Sequence, residues 1–188
     1  MGIFIVLLAG AAGLGYSLYI TIKSGAVDAG VVSCPSAGQC IWTAHIHAYL
    51  PISICGEDYR LPIEIGALTG PHTHEEKNIA HWHDKLPYDK KTKEIMDAAP
   101  LTLGAFFDAI EVPFNSDRIA NKKNSDLCPD GSKGITKVLV NGTIVENPRE
   151  YIWKNHDIIM IFFDSRTPLE TERKAAEAPL TFPTLGRG

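Results

Sequence analysis

Six of the seven histidines in this 188-residue chain lie between His45 and His83. They form three pairs of one kind: His45-Ile46-His47, His72-Thr73-His74 and His81-Trp82-His83. On an extended strand, residues i and i+2 share a face and stand about 6.5 Å apart at Cα, so two such imidazoles can converge on one ion. Neutral imidazole is a ligand for Zn, Cu, Ni and Fe(II). A tetrahedral zinc site draws three or four ligands from more than one element. The spacing allows His72, His74 and His81 to converge, with His83, His45 or His47 completing the set. His72 and His74 would sit on one strand and His81 and His83 on its neighbour, with residues 75–78 as the turn. Register then decides whether the two pairs share a face. Glu75, Glu76 and Asp84 add carboxylates that could ligate the ion or orient a ligand ring. The competing reading is a polar strand surface with no ion. His156, alone in the turn 154–157, reads as a turn residue.

These histidines need strands beneath them. Residues 41–54 alternate with period two: Ile46, Ala48, Leu50, Ile52 and Ile54 fall on one face, and Thr43, His45, His47 and Tyr49 on the other. Cys55-Gly56-Glu57-Asp58 supplies turn chemistry, and 59–65 can return as a partner strand, although Pro51 makes part of the hairpin an edge. Thr102 is a suitable N-cap for a helix in which Leu103, Phe106, Phe107 and Ile110 form one apolar face, stopped by Pro113. A shorter helix is expected over 91–99. Asn141-Gly142 between β-branched runs predicts a tight hairpin, and residues 158–163, IIMIFF, a fully apolar central strand. Hairpins, a helix and then more strands predict an α+β fold, β-grasp-like, with hairpins packed on one helix.

At this point the chain resembles a family of small secreted or membrane-anchored prokaryotic domains. Its members carry an early HxH strand, an HTHD-type motif, IHxE, TLGxFFD, VNG and a KxGD-I-like strand. The matching residues are HIH at 45–47, HTHE at 72–75, IAHWH at 79–83, LTLGAFFDAI from Leu101, VLVNG from Val138 and KNHDIIMIF from Lys154. The resemblance spans roughly residues 44–163 and implies metal binding, with no established reaction. Three departures stand out. Glu75 replaces an aspartate, His83 stands where the family has a carboxylate, and the stretch 84–100 is longer than the family's connection.

Residues 2–22 carry no charge and, as a helix, would span roughly 30 Å, the thickness of a bilayer core. No Lys or Arg precedes the run, which favours a membrane anchor over a cleaved signal peptide. The expected organisation is an anchor at 1–23, a small polar tether at 24–39, an α+β His-rich domain at 40–164 and an extended tail at 165–188. Cys34 with Cys40, and Cys55 with Cys128, are the favoured disulfides on an oxidising side of the membrane, with a thiolate contribution from Cys40 to the histidine site as the alternative. A net charge of −4 gives no basic excess, so nucleic acid is not an expected partner. No phosphate-binding Gly-rich loop, Ser nucleophile elbow or HExxH is present.

The expectation is therefore a single-pass, membrane-anchored extracytoplasmic domain. It would bind a transition metal, Cu or Zn, through paired histidines, in metal handling or as an accessory subunit of a membrane complex. One alternative is a zinc-dependent hydrolase or hydratase, with three histidines, an open position and Glu75 or Glu76 as base. The other is a metal-free interaction module, whose histidines would scatter over several faces.

Overall fold

The apolar face of 41–54 does build strand, but in two pieces, because Leu50-Pro51 interrupts the run. In the computed structural model, which describes residues 30–36, 39–177 and 179–184, strands β1 (Gly30–Ser36), β2 (Gln39–Tyr49), β3 (Ile52–Ile54) and β4 (Glu57–Tyr59) come first. They are followed by β5 (Gly70–Thr73), β6 (Ile79–Asp89), β7 (Glu94–Ile95) and helix α1 (Leu103–Ala109). Next come β8 (Phe114–Asn115), β9 (Arg118–Ile119) and β10 (Lys122–Lys123), then β11 (Ile135–Val140), β12 (Thr143–Ile144), β13 (Asp157–Asp164) and helix α2 (Pro168–Glu177). The main sheet runs β12-β11-β13-β2-β6-β5, with β1 paired to β2, β3 to β13 and β4, and β7 to β6. A small separate sheet orders β10-β9-β8.

This corrects the α+β, β-grasp-like expectation. Strand accounts for 44% of the structure and helix for 15%. α1 is only seven residues long, too short for a sheet of this size to wrap around. The sheet is larger than expected because β6 continues through the stretch read as a connection. Its residues Lys85, Leu86, Pro87 and Tyr88 pair with Thr43, Trp42, Ile41 and Cys40 of β2, and Leu86 is buried there. The region 91–99 forms turns and the short β7 rather than a helix. Within the expected tether, β1 pairs antiparallel with β2. Within the expected tail, α2 forms and is held by a capping box: Thr167 N donates to Glu170 Oε2 (2.7 Å), and Glu170 N donates to Thr167 Oγ1 (3.3 Å). Among the described residues no helix is long and apolar enough to cross a membrane. The anchor read at 2–22 lies outside the described residues.

The remaining local signals form as their chemistry dictates. Thr102 Oγ1 accepts from Ala105 N at the start of α1, and Leu103, Phe106 and Phe107 are buried. Asn141 and Gly142 both take positive φ, 50° and 90°, in the β11–β12 turn, as a two-residue hairpin that follows the sheet's twist requires. β13 is central, antiparallel to β11 and parallel to β2 and β3. Ile161 N donates to Pro51 O (2.9 Å), so β13 bridges the interruption in the first strand. Trp42 and Trp82 stack at 5.7 Å beneath the β2–β6 pair. Burial of a large apolar side chain contributes about 1.5–3 kcal/mol. The wholly buried Trp82, Trp153, Phe106, Phe107 and Phe163 therefore fix the inner face of the sheet and leave its outer face to carry polar groups.

Both favoured disulfides form, Cys34–Cys40 and Cys55–Cys128, and among the described residues no cysteine is free. The thiolate alternative at the histidine site is therefore set aside.

Candidate metal centre

The register of three adjacent strands brings the histidine pairs together. β2 and β6 pair with His45 opposite His83 and His47 opposite His81. β5 and β6 pair with His72 opposite His81 and Gly70 opposite His83. His47, His81 and His72 therefore form one row across the strands, with His81 in the middle. Alternate residues of β2 (Ala44, Ile46, Ala48) and Trp82 of β6 turn inward and are buried, which places all six histidines on the opposite face.

The rings pack closely. Centroid separations are 5.0 Å for His72–His81, 4.4 Å for His74–His81, 5.1 Å for His72–His83 and 6.4 Å for His74–His83. His45 and His47 lie 4.1 Å from His83 and 4.0 Å from His81, respectively. Two groups could hold a metal ion, His72 with His74, His81 and His83, and His45 with His47 and His81. In each group, one ligand atom per residue lies within 4.8 Å of all the others. The first group is the more buried: His72 and His81 are 4% and 8% exposed.

The nitrogen contacts are those of a ligand cluster. Nε2 of His72 lies 2.9 Å from Nε2 of His74, and Nε2 of His81 lies 3.1 Å from that of His83 and 2.5 Å from that of His45. Four nitrogens bound tetrahedrally at 2.0–2.1 Å stand about 3.3 Å apart, so small ring movements would bring these atoms to coordination distance. His72 Nδ1 lies 2.9 Å from Gly70 O. A carbonyl only accepts, so Nδ1 carries the proton and Nε2 keeps its lone pair for an ion. A backbone carbonyl on the far nitrogen is a recurring partner of metal-binding histidine. The carboxylates expected to play this part do not: among the described residues no hydrogen bond joins Glu75, Glu76 or Asp84 to a histidine ring, and neither ligand group includes an acidic residue. His156 belongs to neither group.

Burial favours the neutral, ligand form of four of the rings. Burial, then the neighbouring imidazoles, pushes His81 down to about 2. Burial, then His45, His156 and His83, lowers His47 to about 4. His72 and His83 are lowered as well, chiefly by burial. A ring whose folded pKa lies below its unfolded value of 6.5 supplies stability that is present above pH 6.5 and is lost as pH falls through the folded value. Metal-free protein should therefore lose thermal stability from pH 6.5 down through about 4. A His47→Ala/His81→Ala double variant should lose less over that range. Thermal melts in a chelating buffer measure both, and parallel pH curves would contradict the assignment.

Residues outside the histidine motifs position the site. Asn78, buried and at φ 57°, ends the turn between β5 and β6. Its Oδ1 accepts from Leu61 N (2.9 Å), its Nδ2 donates to Tyr59 O (2.8 Å), and its carbonyl accepts from Leu50 N (2.7 Å). Asn155 Oδ1 accepts from His47 N (3.0 Å), and His156 N donates to His47 O (2.7 Å). The turn read at 154–157 thus clamps the backbone of a candidate ligand. An asparagine directly before IAHWH was the signal for Asn78, since asparagine tolerates positive φ. No sequence signal joins Asn155 to His47.

Gly66 lets the preceding loop lie against β5. At φ +104°, a Cβ there would stand 2.6 Å from Pro71 O and 2.8 Å from His72 Cα. Gly66→Ala should destabilise the protein by about 2 kcal/mol and weaken metal binding by displacing the strand that carries His72. Denaturant titration and a metal competition assay test this, and unchanged values in both would count against it.

Comparison with family models, with curated proteins and with solved structures finds no match to this chain.

Proposed function

We propose that the chain is an extracytoplasmic domain that binds a transition-metal ion, Cu or Zn, through its paired histidines, in metal handling or as an accessory subunit of a membrane complex. The observation that carries this reading is the convergence of six imidazoles on one face of β2, β6 and β5, in two groups each compact enough for one ion. A metal-free module has no reason to crowd six rings together when burial disfavours the charged forms of four of them, His47, His72, His81 and His83. The two disulfides support an oxidising compartment, and the uncharged run at 2–22 supports attachment to a membrane. Copper and zinc both suit an all-imidazole set.

Elemental analysis of protein purified without an affinity tag tests the reading. Copper or zinc should be present at a simple ratio to protein and should be depleted in a His72→Ala/His74→Ala variant. Equal metal content in the two proteins would contradict it.

A further inference from the structure

The two ligand groups are not independent, because both contain His81. We propose that they are two overlapping positions for a single ion. The ion loads and leaves at the outer three-histidine position and rests at the inner four-histidine position, changing ligands around His81. This inference rests on the metal-binding reading above.

Three observations carry it. The first is that the same atom serves both sides: Nε2 of His81 lies 2.5 Å from His45 Nε2 and 3.1 Å from His83 Nε2. A neutral imidazole has one lone pair, so that nitrogen binds one ion at a time. The other nitrogen, Nδ1, is buried with no hydrogen-bond partner and offers no second position.

The second is a gradient of exposure across the strands. Besides the shared, buried His81, the outer position has exposed His45 and half-buried His47, whereas the inner one has buried His72 with half-buried His74 and His83 and no exposed member. The third is the ligand count. Four imidazoles complete a tetrahedral shell, whereas three leave a position open for an incoming or departing ligand.

Passage between the positions is ligand exchange. The bonds from His45 and His47 break as those to His72, His74 and His83 form, while His81 stays bound. No proton or electron changes hands. The rings to be exchanged are already adjacent, with His45 and His83 at 4.1 Å between centroids. Such a site suits delivery of an ion to, or collection from, a ligand-bearing partner rather than permanent structural storage.

The test uses the full chain and Zn2+. Native mass spectrometry gives the stoichiometry, and transfer to a chromogenic chelator gives the release rate. The wild type should bind one Zn2+. The His45→Ala variant, whose lost side chain is exposed, should keep one Zn2+ at an affinity within about threefold of wild type but release it about tenfold more slowly. The His74→Ala/His83→Ala variant should bind at least about tenfold more weakly. Two equivalents on the wild type would overturn the proposal, as would wild-type release from His45→Ala, or an affinity loss in His45→Ala as large as in the double variant. A wild type that binds no Zn2+ and no Cu would defeat the metal-binding reading itself, an outcome distinct from these.

Discussion

A His81→Ala variant is expected to bind metal about a hundredfold more weakly than wild type while remaining folded. The apparent binding free energy of a four-ligand structural zinc site is about 10–16 kcal/mol, or about 3 kcal/mol per ligand, and about 1.4 kcal/mol corresponds to tenfold. His81 is the ligand common to both groups, so its loss leaves neither intact, whereas removal of His45 or His74 leaves one. Its ring is buried, and truncation costs some packing. Truncation also removes a buried nitrogen that has no hydrogen-bond partner, and relieving such a group is worth about 1–3 kcal/mol. The two effects oppose each other, so the stability of the metal-free protein should change little. His156→Ala should bind as wild type, because its ring belongs to neither ligand group and its backbone N–H to His47 O is kept. Competition against a chelator of known affinity, with a thermal melt of each metal-free protein, measures both quantities. Wild-type affinity in His81→Ala would refute the shared-ligand geometry.

Removing the Cys55–Cys128 bridge should have the largest effect on stability. The bridge spans 73 residues of sequence and ties the β3–β4 turn to the loop before β11. The chain-entropy estimate for a loop of that length is about 4 kcal/mol, which for a domain of this size lowers the melting temperature by about 8–16 °C. Cys34–Cys40 closes a separation of only 6 and should contribute about 2 kcal/mol. Neither histidine ligand group includes a cysteine. A Cys55→Ser/Cys128→Ser variant should therefore retain its metal affinity below its lowered melting temperature. Denaturant and thermal titrations under non-reducing conditions distinguish the two bridges. Equal losses from both would contradict the loop-length argument.

Much of the site was legible because strand periodicity is local. His45 with His47, His72 with His74 and His81 with His83 each share a face by spacing alone. Whether the three faces coincide is a matter of register, and register is set by contacts distant in sequence. Trp42 opposite Leu86 and Ile46 opposite Trp82 fix β2 against β6, and thereby place His47 beside His81. The central place of His81 follows from its strand's having a partner on each side, which no local signal carries. The misjudged parts of the fold have similar causes. β1 lies in a small, polar stretch that becomes strand only by pairing with β2. The extension of β6 through Lys85 to Asp89 crosses Pro87, which discourages a strand reading. α2 was missed for a different reason. Its capping box, Thr167 with Glu170, was present in the sequence but overshadowed by the prolines around it.

The central claim is that imidazoles of these six histidines hold a transition-metal ion, and X-ray absorption at the metal edge of copper- or zinc-loaded, untagged protein tests it most directly. The account predicts nitrogen neighbours only, three or four of them, at about 2.0–2.1 Å for zinc, with the outer-shell scattering of imidazole rings and no sulfur. A sulfur shell, or a purely oxygen shell without imidazole scattering, would contradict it.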